Sequence, residues 1–145
     1  MSSIDYTLDM AANIKGAFAV AIVDYDSGMT LGSRGGSPEF DLDVAAPGNS
    51  DVVRTKLDLM QKLGLRENID DILITLDTQY HLIRPIRGLP DEKLFFYLVL
   101  NRSQANLAMA RRDLRVIEKE FYLANPGPGR PTPDGQAFFP SNAGR

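Results

Sequence analysis

The chain has 145 residues, a net charge of −3 and no cysteine. The length fits one compact domain, and the lack of cysteine excludes disulfides, a thiolate nucleophile and thiol-ligated metal centres. An acidic chain of this size does not supply the basic surface that dominates nucleic-acid binding, and its apolar runs are too short to span a bilayer. We therefore expect a soluble, cytoplasmic protein with no nucleic-acid partner and no membrane insertion.

The N-terminal part of the chain predicts a helix followed by a hairpin. Apolar residues recur every three or four positions from Ile4 to Ile14, with Ser3 as the cap. The stretch from Gly16 to Tyr25 is almost continuously apolar, which is typical of a strand covered on both faces. Asp26-Ser27-Gly28 is a turn sequence, and Met29 to Ser33 is predicted as the returning strand.

The middle helix is the most informative element of the sequence. Its apolar residues cover an arc of about 160° of the helix surface, which is wider than one sheet requires: Val52, Val53, Leu57, Leu59, Met60 and Leu63. Asn49 or Ser50 is expected as its cap, and if the helix begins earlier, near Asp41, Pro47 would remove a backbone hydrogen bond and kink it. The surplus apolar width favours a second covered surface, which is either another subunit or a loop or tail of the same chain.

Three extended segments follow Gly64, and a helix ends the domain. Ile69 to Asp77, Tyr80 to Ile86 and Leu94 to Leu100 are predicted strands. The continuously apolar first and last strands belong in the centre of the sheet, and the alternating ones lie nearer its edges. Ser103 is predicted to cap a helix whose apolar residues recur from Leu107 to Phe121. The order α-β-β-α-β-β-β-α predicts an α+β fold, with a five-stranded antiparallel sheet and helices on both faces.

The predicted domain covers residues 3–123, and residues 124–145 are predicted to form a flexible tail. From Asn125 to Arg145 the chain has five of its nine prolines, four glycines and no valine, leucine or isoleucine. Such a composition cannot bury enough apolar surface to offset the entropy cost of ordering. The adjacent Phe138 and Phe139 are either a docking element or incidental composition.

No side chains in the sequence form a recognisable catalytic or metal site. The single histidine, His81, has no cysteine or acidic pair at ligand spacing, so we interpret it as a structural or surface residue. Asp24 to Gly28 resembles the start of a calcium loop but lacks the closing glutamate, and a hairpin turn explains it better. Acidic pairs near element ends are assigned to capping or solvent, without chemistry: Asp41 with Asp43, and Asp70 with Asp71. We expect no cofactor, no metal and no enzyme activity.

Four strings occur in a characteristic order around the middle helix: Gly16-Ala-Phe-Ala-Val-Ala-Ile-Val-Asp-Tyr-Asp-Ser-Gly28, Asp71-Ile-Leu-Ile-Thr-Leu76, Tyr80-His-Leu-Ile-Arg-Pro85 and Leu94-Phe-Phe-Tyr-Leu-Val-Leu100, followed by Ala105-Asn-Leu-Ala108. In this order they resemble the Roadblock (dynein light-chain) domain family of bacterial type, over about residues 3–123. The resemblance implies a profilin-like sandwich that forms homodimers. The middle helices would pack together, and edge strands from the region of residues 69–77 would extend the sheet across subunits.

The resemblance also implies a function. Domains of this family are non-catalytic partners or regulators of Ras-like small GTPases, or scaffolds of larger assemblies. The expected partners are therefore a second copy of the chain and a Ras-like small GTPase. The residues expected at the dimer interface are Val52, Val53, Leu57, Met60, Ile72 and Ile74. The alternative is a profilin/PAS-like sensory domain, in which a small-molecule cavity between sheet and helix is lined by Phe18, Phe95, Phe96 and Tyr97.

Overall fold

A computed structural model describes residues 3–87 and 93–124. The elements follow the expected order: α1 (Ser3–Ala12), β1 (Ala17–Asp24), β2 (Thr30–Gly35), α2 (Leu42–Lys62), β3 (Ile72–Thr75), β4 (Gln79–Pro85), β5 (Leu94–Asn101) and α3 (Leu107–Ala124). The α+β fold class is confirmed. Of the predicted tail, only Ala124 belongs to a described element, and residues 125–145 lie outside the described residues. Within the described ranges, no helix combines the length and the apolar character needed to cross a bilayer.

The strands form one antiparallel sheet in the order β2-β1-β5-β4-β3. β5 lies in the middle, where every residue from Leu94 to Leu100 is buried, because strands pair on both of its edges and helices cover both faces. β1 pairs with both β2 and β5. β3 is shorter than predicted and ends the sheet beyond β4, with Ile74 opposite His81. The central position of the two continuously apolar strands is confirmed.

The sheet separates two apolar clusters, one beneath α1 and α3 and the other beneath α2. Successive side chains of β5 alternate between them, so Phe96 faces α1 and α3, whereas Phe95 and Tyr97 face α2. Phe18 lies on the α2 side, in edge-to-face contact with Phe40. The four aromatic residues assigned to a sensory cavity therefore do not share one cavity. That prediction is wrong because neighbouring residues of a strand point to opposite faces.

α2 begins at Leu42, and the alternative start near Asp41 is confirmed. The Oδ1 of Asp41 accepts a hydrogen bond from the backbone nitrogen two residues later at 2.9 Å, which makes Asp41 the N-cap. The later cap at Asn49 or Ser50 is wrong, since both residues lie inside the helix. Pro47 also lies inside, where it cannot donate a hydrogen bond to the carbonyl four residues before it.

α3 also begins at a cap different from the predicted one. The Oδ1 of Asn106 accepts a hydrogen bond from the backbone nitrogen of Met109 at 3.1 Å, and its carbonyl accepts one from Ala110 at 2.9 Å. Asn106 is therefore the N-cap, and the predicted cap, Ser103, lies in the preceding turn. The two residue types are comparable as caps, so the sequence did not decide between them.

The segment from Asp24 to Gly28 forms the hairpin turn between β1 and β2, as interpreted from the sequence. The Oδ1 of Asp24 accepts hydrogen bonds from the backbone nitrogens of Asp26 at 2.8 Å and Ser27 at 3.2 Å. Gly28 has a φ of +81°, a conformation that favours glycine. In residues 3–87 and 93–124, no three histidine or acidic side chains converge as a metal site would require.

Candidate partner-binding surface

α2 packs its inner face against β1 and β2. Val53 is fully buried there, and Met60 is 8% exposed. Leu57 is partly buried against the same apolar cluster. These three residues were expected at a dimer interface, but in this structure they serve mainly to hold α2 on its own sheet. Only Leu57 retains appreciable surface for a partner.

A second apolar line on α2 is exposed. Val52, Leu59 and Leu63 are 39%, 44% and 63% exposed, and their spacing of seven and then four residues places them on one side of the helix. We call these three residues the α2 stripe. Asn49, one turn before Val52, donates a side-chain hydrogen bond from its Nδ2 to the carbonyl of Ala45 at 2.8 Å, within the same helix. The α2 stripe is thus separate from the buried inner face of the helix, which carries Val53 and Met60.

β3 supplies the other part of this surface. Ile72 and Ile74 lie on the α2 side of the sheet and are partly buried against the cluster beneath α2. Among the described strands, β3 pairs with β4 alone. Its outer edge therefore presents backbone N–H and C=O groups that no described strand satisfies. The exposed stripe of α2 is suited to burying a second helix, and the open edge of β3 is suited to adding a second strand.

A polar network joins β4 and β5 on the α2 side of the sheet. The Nε2 of His81 lies 2.9 Å from the Oε1 of Gln79, and its Nδ1 lies 3.1 Å from the Tyr97 hydroxyl. Because an amide oxygen only accepts, Nε2 carries the proton and Nδ1 accepts from Tyr97. Burial lowers the pKa of His81 and raises the pKa of Tyr97. Both groups are therefore uncharged at neutral pH, and His81 has the structural role assigned from the sequence.

Asp70 and Asp71 hold the loop that leads into β3. Asp71 accepts two hydrogen bonds from the guanidinium of Arg111 on α3, each 3.0 Å long. The Oδ1 of Asp70 accepts from Arg87 at 2.9 Å, and its carbonyl accepts from Arg84 at 3.1 Å. The assignment of this pair to capping or solvent was wrong. Both acids form ion pairs with arginines that are distant in the sequence.

Arg84 and Glu118 form a buried ion pair on the face of the sheet opposite α2. Their side chains are 6% and 9% exposed. The Nε of Arg84 donates to the Oε1 of Glu118 at 2.6 Å, and the Oε2 accepts from the backbone N–H of Arg87 at 2.8 Å. Both carboxylate oxygens are thus used, and β4 is joined to α3 by charge-assisted hydrogen bonds.

Solved structures of other proteins share this architecture. MglB of Myxococcus xanthus aligns with a TM-score of 0.70 and 14% sequence identity, over 81% of this chain and 83% of that one. A Roadblock/LC7 domain from Streptomyces avermitilis aligns with a TM-score of 0.67 and 13% identity, over 81% and 93% of the two chains. This chain has the Roadblock/LC7 fold. The resemblance inferred from the sequence is confirmed at the level of the fold.

The Roadblock/LC7 fold is shared with a gliding protein as well. The gliding protein MglB from Thermus thermophilus aligns with a TM-score of 0.60 and 17% identity, over 81% of this chain and 90% of that one. No protein-family model and no curated protein matches the sequence. One fold supports many functions, so the function of this chain must be argued from its own surface.

Proposed function

We propose that the chain is a homodimeric, non-catalytic, cytoplasmic interaction module that binds or regulates a Ras-like small GTPase or scaffolds its signalling complex. Two observations together carry the proposal: the exposed α2 stripe and the open edge of β3 among the described strands. An exposed apolar helix stripe and an open strand edge are both typical features of a surface that has a protein partner. The Roadblock/LC7 fold supports this function, because the family resemblance of the sequence implies the same kind of partner.

In the proposed dimer, the two α2 stripes pack against each other across a two-fold axis and the two β3 edges approach one another. Ile72 and Ile74 extend the apolar contact from the stripe to the sheet, and Leu57 adds its remaining exposed surface. Val53 and Met60 support the interface from beneath. Each substitution in such an interface occurs twice, because a two-fold contact uses the same surface of both subunits.

The variant Leu59→Glu tests the dimer. The carboxylate is tolerated in the monomer, where Leu59 is 44% exposed, but in the dimer it would be buried without a partner, at a cost of about 3–5 kcal/mol. The matched control is Val116→Glu, which places the same charge on α3, at a residue that is 53% exposed. We expect sedimentation equilibrium to show dimers for the wild type and Val116→Glu, and a folded monomer for Leu59→Glu. A monomeric wild type, or a Leu59→Glu dimer of unchanged affinity, refutes the interface.

A pull-down tests the GTPase partner. The tagged full-length chain serves as bait in a native lysate, with either GDP or a non-hydrolysable GTP analogue, and mass spectrometry identifies the retained proteins. We expect a small GTPase that is enriched in one nucleotide state. A hydrolysis assay on that purified GTPase, with and without this chain, then separates a regulator from a scaffold. If neither nucleotide leads to retention of a small GTPase, the GTPase partner is rejected, and sedimentation still decides the dimer.

A further inference from the structure

A cleft on the face opposite α2 is lined mainly by basic side chains. It lies between the end of β4 and the C-terminal half of α3 and has a volume of about 320 Å³. Its lining residues are Arg84, Arg87, Arg115, Glu118, Lys119 and Tyr122. We call it the α3 cleft. The proposed dimer surface, formed by the α2 stripe and β3, does not include these residues, so the cleft stays open in the proposed dimer.

The one acidic residue of the α3 cleft is already neutralised. Glu118 uses one carboxylate oxygen for Arg84 and the other for the backbone N–H of Arg87. It is also buried, with 7% of the residue exposed. The charged groups exposed to solvent at the α3 cleft are therefore the surrounding cations and not this carboxylate. The buried pair fixes the floor of the cleft and contributes little negative charge to its mouth.

Two of the surrounding cations have no acidic partner in the described residues. Arg115 and Lys119 are exposed and lie one turn apart on α3, and neither side chain forms an ion pair or hydrogen bond with another described residue. Arg111, one turn earlier on the same helix, differs from them, because its guanidinium donates two hydrogen bonds to the carboxylate of Asp71. Arg87 adds a third cation at the rim, and its side chain is 45% exposed although it also contacts Asp70.

We propose that the α3 cleft binds an acidic segment of a partner protein, whose carboxylates are held by Arg87, Arg115 and Lys119. Charge complementarity supports this occupant, and the planar guanidinium groups of the two arginines match carboxylates with two parallel hydrogen bonds. Tyr122 adds an aromatic wall against which the aliphatic part of an acidic side chain packs. The inference rests on the proposed function in one respect, since it takes the chain to be a partner-binding module.

The charge distribution disfavours nucleic acids and lipid surfaces as the occupant. Residues 1–53 carry eight acidic and two basic side chains, so this part of the chain has a charge of −6 and the remainder has +3. Three rim cations neutralise few phosphates, and the acidic residues 1–53 would repel a long polyanion or an anionic membrane. A short acidic segment of a protein needs only the few cations that the α3 cleft offers.

Fluorescence anisotropy with a labelled peptide of alternating glutamate and glycine tests the α3 cleft. The full-length chain is used, so Asp91 and Glu92, which follow Arg87 in the sequence, are present. We expect the peptide to bind, and we expect added salt to weaken the binding because exposed charges are screened. A peptide of alternating glutamine and glycine is expected not to bind. Equal binding of the two peptides, or tighter binding of a single-stranded RNA of similar length, would overturn the proposal.

Paired charge reversals locate the site. Arg115→Glu with Lys119→Glu is expected to weaken peptide binding at least about tenfold, since two attractive contacts become repulsive. Lys15→Glu with Lys62→Glu changes the net charge by the same amount at exposed lysines outside the cleft, and is expected to bind as the wild type does. Equal weakening by both pairs rejects the α3 cleft. Because the pull-down detects a GTPase independently of the peptide, failure of this proposal and failure of the proposed function are distinguishable.

Discussion

Replacing Glu118 by alanine is expected to destabilise the fold by about 3 kcal/mol. The substitution removes the acceptor of both the Arg84 side chain and the Arg87 backbone N–H. The Arg84 side chain, only 6% exposed, then holds a charge without its main partner. Removing one member of a buried ion pair costs about 3–5 kcal/mol for this reason.

The lower end of that range follows from the remaining contacts of Arg84. The carbonyl of Asp70 still accepts a hydrogen bond from its guanidinium at 3.1 Å, and the carboxylate of Asp70 lies 3.9 Å away. These oxygens compensate part of the charge. For a domain of this size, a loss of about 3 kcal/mol corresponds to a fall in Tm of roughly 10 °C.

Urea unfolding followed by circular dichroism measures the effect. The comparison variant combines Arg84→Met with Glu118→Leu, which removes the unpaired charge as well as the pair. We expect this double variant to lose less stability than Glu118→Ala, although the orphaned Arg87 N–H still costs about 1 kcal/mol. The reasoning is refuted if Glu118→Ala loses less than about 1 kcal/mol, or if the double variant is the less stable of the two.

The remaining predictions concern His81 and two glycines. Burial lowers the pKa of His81 in the folded chain, so the unfolded chain binds more protons and stability is lost as the pH falls through about 6.5. His81→Gln is expected to reduce this loss of stability, measured by urea unfolding between about pH 7.5 and 5.5. An unchanged pH dependence of stability would show that His81 is not its source. Gly35→Ala is expected to lower the Tm more than Gly28→Ala. Both glycines have positive φ values, +82° and +81°, so alanine strains the backbone similarly at each. At residue 35 the new Cβ would also collide with the backbone oxygen of Phe18, whereas at residue 28 it meets no described atom. Equal melting temperatures would show that this collision is relieved at little cost.

The order of the elements could be predicted from the sequence because it depends on local patterns. A continuously apolar segment such as Leu94 to Leu100 requires cover on both faces, which places it in the centre of the sheet. Gly64 marks the end of α2, and there it has a φ of +73°. The helix starts were harder to predict, because several residues with capping side chains precede each apolar stretch.

The candidate surface could be predicted only in part. The apolar arc of the middle helix was evident, but the inward and outward parts of that arc depend on where the helix lies on the sheet. Val53 and Leu59 look alike in the sequence, and the structure buries the first and exposes the second. The roles of Asp70 and Asp71 were not evident, because their arginine partners come from β4, the segment just after it and α3, and meet them only in the folded chain.

The position of β5 has a consequence for biosynthesis. Of the strands that the structure describes, β5 is the last to leave the ribosome, yet it is the one that joins the β1–β2 hairpin to the β3–β4 hairpin. Until it emerges, β1 and β4 each present an unpaired apolar edge, which is a recognised hazard for aggregation. Nascent chains that stall before Leu94 therefore carry two hairpins with no strand between them, and we expect such chains to depend on chaperones until translation resumes.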